Sequence, residues 1–295
     1  MTQCTNSSSK ADKKITPPKT IKVIPTRSIG FCQGVKRAVE LSESALKGAP
    51  GPIFSVGPII HNPPEMERLG RLGLSVVRGI DEIPRHASLL IRSHGATPRE
   101  ISAARKRGLK IIDATCPIVK RLQAAYRKLI REGYTVVVVG DKNHPEVQGV
   151  LSQEKGRGLV VGGPEDLKKI KLKGRIGMVA QTTQPLQKVQ EVADFLLGKS
   201  EELRIINTLC PVTLKRQEEA SDLAKRVDLM LVIGGKNSAN TSRLFELCRK
   251  VNPHTFQIER LHELDLRGGK GKRILGITTG TSTPLWLIKQ MVEEI

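Results

Sequence analysis

An internal repeat constrains this chain more than any other feature, because a unit that recurs builds the same supersecondary piece each time. Three segments run a short apolar stretch into a cysteine and then into a helical pattern. They are Gly30-Phe31-Cys32-Gln33-Gly34, Asp113-Ala114-Thr115-Cys116-Pro117 and Asn207-Thr208-Leu209-Cys210-Pro211. The cysteines lie 84 and 94 residues apart. Each is followed, 28 or 29 residues later, by a polar residue just past a second strand: His61, His144 and Ser238. The middle and last copies still match in detail, Val139-Gly140-Asp141-Lys142-Asn143-His144-Pro145-Glu146 against Ile233-Gly234-Gly235-Lys236-Asn237-Ser238-Ala239-Asn240. A third polar position follows a later strand and precedes a helix-opening proline: His94 before Pro98, Thr182 before Pro185 and Ser282 before Pro284.

Strand and helix periods alternate throughout, which predicts an α/β fold with mainly parallel sheets. Val136 to Val139 and Leu229 to Ile233 read as buried strands. Val35, Val39, Ser42 and Leu46 mark one helix face; Ile118, Leu122, Ala125 and Leu129 mark another. The repeat predicts three small lobes related by a pseudo-threefold axis: 21–116, 117–206 and 207–295, after a disordered tail at 1–20. The final helix, from Pro284, has no later strand to feed, so the strand near Ile21 to Ile24 is expected to join the third lobe and close the ring.

Composition narrows the function. No stretch approaches the roughly 18 apolar residues of a membrane span, and the tail lacks an apolar signal core, so a soluble cytoplasmic protein is expected. A net charge of +20 points to anionic partners. With aromatics at 3%, a base-stacking surface has little to be built from, and nucleic acid is not the expected partner. Residues 267–273 form a basic, glycine-containing turn that matches no phosphate loop.

Five cysteines without close pairs fit neither a disulfide framework nor a closed zinc site. One thiolate per lobe suits a [4Fe–4S] cluster with three cysteine ligands and an open apical iron. Cys4 falls in the tail and Cys248 on an apolar face with Leu244, Leu247 and Val251. The polar ring lies at strand ends before helices, where backbone N–H groups favour anions such as a diphosphate. His86, His254 and His262 fall outside the repeat. Glu146 is the one carboxyl placed in the ring, a candidate proton donor whose ordinary alternative is an exposed helix-start carboxylate. A basic iron–sulfur or zinc protein that binds nucleic acid is the competing reading.

These motifs, with Ser93-His94-Gly95, Gln181-Thr182-Thr183 and Gly280-Thr281-Ser282-Thr283-Pro284, resemble the 4-hydroxy-3-methylbut-2-enyl diphosphate reductase family from Ile21 to Ile288. The resemblance implies a cluster held by Cys32, Cys116 and Cys210. It implies diphosphate contacts from His61, His94, His144, Ser238, Asn240 and Ser282, and a proton relay through Glu146 and Thr182. Asn240, and Thr213 near the cluster, rest on the resemblance alone. The implied reaction takes an allylic diphosphate, two electrons and two protons to isopentenyl or dimethylallyl diphosphate and water, closing the non-mevalonate route. The basic surface suits an acidic electron donor, ferredoxin or flavodoxin. Departures from the family pattern are Ala239 in place of a second serine, Pro211 after the third cysteine, and Asn62-Pro63-Pro64; they bear on affinity or on a member with altered chemistry.

Overall fold

The computed structural model describes residues 21–154, 158–168, 170–263 and 274–294. The tail with Cys4 and the whole basic turn at 267–273, with 264–266 before it, lie outside the described residues. Among those described, no helix is long and apolar enough to cross a membrane.

Three four-stranded sheets, parallel throughout, carry the fold. The first contains β2 (Ile53–Val56), β3 (Leu74–Val77), β4 (Ser88–Ile91) and β5 (Lys110–Asp113) in the order β3-β2-β4-β5. The second contains β6 (Thr135–Val139), β7 (Gly158–Val161), β8 (Arg175–Ala180) and β9 (Glu202–Ile205), ordered β7-β6-β8-β9. The third contains β10 (Leu229–Ile233), β11 (Thr255–Ile258) and β12 (Ile274–Thr279). Its fourth place is taken by β1 (Lys22–Pro25), which pairs in parallel with β12, Lys22 opposite Ile274. Read as β11-β10-β12-β1, all three sheets share one topology, and the expected ring closure is present.

Helices join the strands: α1 (Gln33–Gly48), α2 (Pro63–Arg71), α3 (Pro98–Lys106), α4 (Pro117–Arg131), α5 (Pro145–Leu151), α6 (Leu186–Leu197), α7 (Pro211–Ala224), α8 (Ala239–Val251) and α9 (Leu285–Glu293). The second lobe shows why these segments fold this way. The four valines of β6 are completely buried because both faces of the sheet are covered. Val136 and Val138 pack with Leu122, Tyr126 and Leu129 of α4, while Val137 and Val139 pack with Val192 and Leu196 of α6. Burial at about 1.5–3 kcal/mol per such side chain makes this strand a strong organiser. Pro117 and Pro211 occupy first helical positions, as expected, and Gly133 takes the left-handed turn (φ 83°) after α4.

Three local readings change. Pro185 and Pro284 are caps rather than first helical residues, so α6 and α9 begin one residue later. Ile118 is only half-buried; Val119 supplies that contact. Leu244 and Cys248 enter the core, but Leu247 lines a surface cleft and Val251 is exposed. Two residues four apart define the inner line of α8, and the other pair is rotated away from it.

Candidate active site

Strand order places the functional side chains. In each sheet the chain leaves the first strand toward one edge and returns on its other side, so the order reverses between β2 and β4, β6 and β8, and β10 and β12. Crevices beyond the carboxyl ends of strands at such reversals are where open α/β sheets bind ligands. All six polar-ring loops follow these strands, and the cysteines follow the neighbouring strands β1, β5 and β9.

Cys32, Cys116 and Cys210 are the N-caps of α1, α4 and α7. Their backbone N–H groups make equivalent bonds: Cys32 to the Thr281 carbonyl (3.0 Å), Cys116 to Ser93 (3.0 Å) and Cys210 to Thr182 (2.9 Å). Val35 N–H also points at the Cys32 sulfur, 3.5 Å away. Burial raises the Cys32 and Cys116 thiols above their ordinary range; repulsion within the trio adds to this, and helix-start N–H groups oppose it. A Cβ at Gly34 would lie 2.7 Å from the Cys116 sulfur and 4.0 Å from that of Cys32. Glycine there lets two sulfurs from different lobes approach one space. Among the described residues, the group compact enough for a single ion is histidine, not cysteine. Three converging thiols spread more widely than a single-ion site fit a larger inorganic cluster with thiolate ligands.

Beside the thiols lies a polar cavity lined by His61, His94, His144, Glu146, Asn240 and Ser282, with Ser238 and Thr183 also on its wall. The imidazole centroids are 4.5 Å apart for His61–His94, 5.8 Å for His61–His144 and 5.5 Å for His94–His144. Burial holds all three neutral, His144 down to about 4, with the cationic Arg92 adding to the effect. Each therefore keeps one N–H donor. His61 Nε2, His94 Nδ1 and both amide atoms of Asn240 are buried without protein partners. Such unmet polar groups suit a ligand rich in oxygen. Ser282 donates to the His61 carbonyl (3.0 Å), joining the first and third lobes at the cavity.

Glu146 is not an exposed helix-start carboxylate: it is 2% exposed. Thr182 holds both its oxygens, donating from N–H at 2.7 Å and from the hydroxyl at 2.9 Å. The Thr182 carbonyl accepts from Cys210 N–H and from the Thr213 hydroxyl (3.2 Å), so this threonine connects the carboxyl to the third thiol loop. Burial pushes the Glu146 carboxyl up to about 6, against the Thr182 hydrogen bonds. The native state then keeps a proton that the unfolded chain releases, and stability falls as pH rises from about 4.5 to 6. Glu146→Gln removes this titration. In urea unfolding of cluster-free protein, the variant should gain about 2 kcal/mol on the parent across that window; a constant difference between the two would contradict the assignment.

The structure corrects one repeat equivalence. By their bonds to the cysteine N–H groups, Thr182 matches Ser93 and Thr281. Its neighbour Thr183, with its hydroxyl buried and unpartnered, is the counterpart of His94 and Ser282. Thr182 instead turns to Glu146. Counting back from the proline misses this because the interval to proline differs among the copies. Conversely, Asn240 takes the position in α8 that Glu146 takes in α5, second residue after the cap, so the aligned segments quoted above already contained the signal for it.

The fold and site define a three-lobed α/β protein with a thiol-lined centre and a neutral, hydrogen-bonding polar cavity beside it. The family profile described as LytB protein matches residues 23–295, and the chain belongs to this family, which implies an iron–sulfur cofactor. A protein of Syntrophotalea carbinolica named 4-hydroxy-3-methylbut-2-enyl diphosphate reductase is 45% identical over 276 residues, covering 93% of this chain and 98% of its own. One of Aquifex aeolicus with the same name is 45% identical over 278 residues, covering 93% and 96%. Two solved structures are similar. One, of (E)-4-hydroxy-3-methyl-but-2-enyl diphosphate reductase, described as the terminal enzyme of the non-mevalonate pathway, has TM-score 0.68 at 44% identity and covers 94% of this chain and 100% of its own. The other, E-1-hydroxy-2-methyl-but-2-enyl-4-diphosphate reductase from Plasmodium falciparum, has TM-score 0.87 at 27% identity, covering 94% and 88%.

Proposed function

We propose that this chain reductively removes the hydroxyl of 4-hydroxy-3-methylbut-2-enyl diphosphate, yielding isopentenyl and dimethylallyl diphosphate in the cytoplasm. The observation that carries the reading is the buried Glu146 carboxyl, set between the thiol centre and a cavity of three neutral imidazoles. Cys32, Cys116 and Cys210 would hold one [4Fe–4S] cluster, which would relay two electrons from an external donor, one at a time, and would offer the substrate an open iron.

The remaining work falls to side chains. His61, His94 and His144 offer N–H donors to the diphosphate, and Ser238, Asn240 and Ser282 complete its hydrogen bonds. Neutral imidazoles suit this task, because a diphosphate then enters without breaking existing ion pairs. Glu146, oriented by Thr182, gives the proton with which the hydroxyl leaves as water; a second proton completes the new carbon–hydrogen bond. A carboxyl titrating at about 6 retains a protonated fraction at neutral pH. Ala239 offers no hydroxyl, so diphosphate contact at that turn rests on Ser238 and Asn240.

The test is anaerobic purification with iron, sulfide and zinc analysis, followed by turnover of the diphosphate. Iron with sulfide and turnover is expected. Zinc alone would favour a second reading, in which the imidazole nitrogens, within 4.8 Å of one another, hold a divalent ion. An acidic carrier, ferredoxin or flavodoxin, is the proposed electron donor on the strength of the +20 charge. Turnover with such a carrier should fall steeply with added salt, while turnover with a small neutral reductant should hardly change. Equal sensitivity with both would remove the docking argument.

A further inference from the structure

Each cysteine-capped helix reaches across to the loop of the next cysteine with an arginine. Arg37 of α1 donates to the Thr115 (3.4 Å) and Asp113 (3.3 Å) carbonyls, and Arg121 of α4 donates to the Leu209 carbonyl (3.3 Å). Both are exposed and stand five residues after their cysteine. The third lobe departs from the pattern. Lys215 occupies its fifth position, exposed and near Glu219 at 4.0 Å. The reach is made from the sixth by Arg216, which is 3% exposed. The first two lobes have Ala38 and Leu122 at that sixth position, both at 0%.

Arg216 donates only to neutral groups: the Gly30 carbonyl (2.8 Å), the Thr279 carbonyl (3.2 Å) and hydroxyl (3.4 Å), and the Gly280 carbonyl (3.3 Å). Its Nε is buried without a partner. Gly30 lies two residues before Cys32, and Gly280 adjoins Thr281, whose carbonyl holds Cys32 N–H. Among the described residues, no carboxylate forms an ion pair with Arg216. Glu219, the carboxylate whose charge acts on it, is engaged with Ser28 N–H (2.8 Å) and hydroxyl (3.1 Å). A buried cation without a carboxylate is costly unless another negative charge compensates it. A clasp alone has no need of that cost, since exposed arginines serve in the other two lobes. The charges that act on Arg216 include the sulfurs of Cys32 and Cys210.

We propose that Arg216 is the charge-compensating residue of the cofactor centre, setting its reduction potential by offsetting the negative charge that accumulates on reduction. The proposal rests on the iron–sulfur reading of the three cysteines. Arg216 acts through the cofactor and touches no reacting atom. Reduction adds an electron to an already anionic thiolate-bound centre, and a fixed cation beside it lowers that cost; net charge is one of the known determinants of iron–sulfur potentials.

The experiment is an anaerobic redox titration of iron- and sulfide-loaded parent, Arg216→Gln, Arg216→Lys and Glu219→Gln. Arg216→Gln should lower the one-electron reduction constant about tenfold, which is about 59 mV toward more negative potential. Arg216→Lys keeps the charge but loses the planar fork, and its constant should stay within about threefold of the parent. Glu219→Gln removes the opposing carboxylate and should shift the potential the other way. If Arg216→Gln fails to load, the threefold limit on the Lys variant and the shift of Glu219→Gln decide. A loaded Arg216→Gln with the parental potential, a Lys variant shifted as far as the Gln variant, or an unmoved Glu219→Gln overturns the proposal. A parent chain lacking iron and sulfide refutes the cofactor reading itself, and this proposal with it.

Discussion

Replacing Cys32, Cys116 or Cys210 with serine should strip the protein of most of its iron and sulfide and abolish reduction. Serine oxygen is a poor substitute for thiolate in an iron–sulfur site, and each cysteine provides the sole thiol of its lobe at the centre. All three sit on the same structural position, an N-cap with its N–H tied to an adjacent site loop. Cys248 is the internal control. It is fully buried, packed among the residues of α7, β10 and α8, and burial pushes its thiol up to about 12. Cys248→Ser should cost about 1–3 kcal/mol of stability through a buried hydroxyl, yet leave cofactor content near the parent's. Iron and sulfide assays on the four variants decide the ligand set. Loss of the cofactor in Cys248→Ser, with one of the other three harmless, would refute it.

Glu146→Gln should keep the cofactor and bind substrate while turning over about 10²–10⁴-fold more slowly, the usual cost of losing a general acid. Carbon–oxygen cleavage without protonation would expel hydroxide, a poor leaving group. Among the cavity-lining side chains, Glu146 is the carboxyl, and its two oxygens are fixed by one residue, Thr182. Glutamine preserves size and one acceptor, but its amide N–H groups are not acidic and cannot deliver a proton. Thr182→Val should have a smaller effect, since the backbone N–H at 2.7 Å remains when the hydroxyl is removed. Steady-state rates on cofactor-replete protein test both. Activity of Glu146→Gln within a few-fold of the parent would exclude it as the proton source.

Much of this arrangement was legible in the sequence because the repeat carries rare residue types. Cysteine, histidine and a Lys-Asn pair at recurring intervals stand out against an ordinary α/β background, and the strand near Ile21 was readable as the ring's closing element by elimination. Thr183 escaped because a threonine beside another threonine gives no type signal, and the loop between it and the helix varies in length. The burial of Glu146 was also not legible: a carboxylate in the first turn of a helix has the same local signature whether it faces water or a neighbouring lobe. The arginine clasps were hidden for a related reason. Arg37 and Arg121 look like ordinary surface charge in a chain of this basicity, and only three-dimensional proximity pairs them with the next cysteine loop.

The placement of β1 in the third sheet has a consequence for biogenesis. The hydroxyls of Thr26 and Thr278, bonded across that β1–β12 junction, are 252 residues apart in sequence. Strands of this kind pay the loop-closure entropy of nearly the whole chain before they pair, which makes the step late and slow. During translation β1 must therefore wait for this partner until β12 leaves the ribosome. Cys32 follows β1 and takes its final bond from Thr281, just beyond β12. The Cys116 and Cys210 loops take their bonds from Ser93 and Thr182, which precede them in the chain, whereas the Cys32 loop waits for a residue beyond β12, so the thiol trio reaches its final arrangement only after β12 has been made.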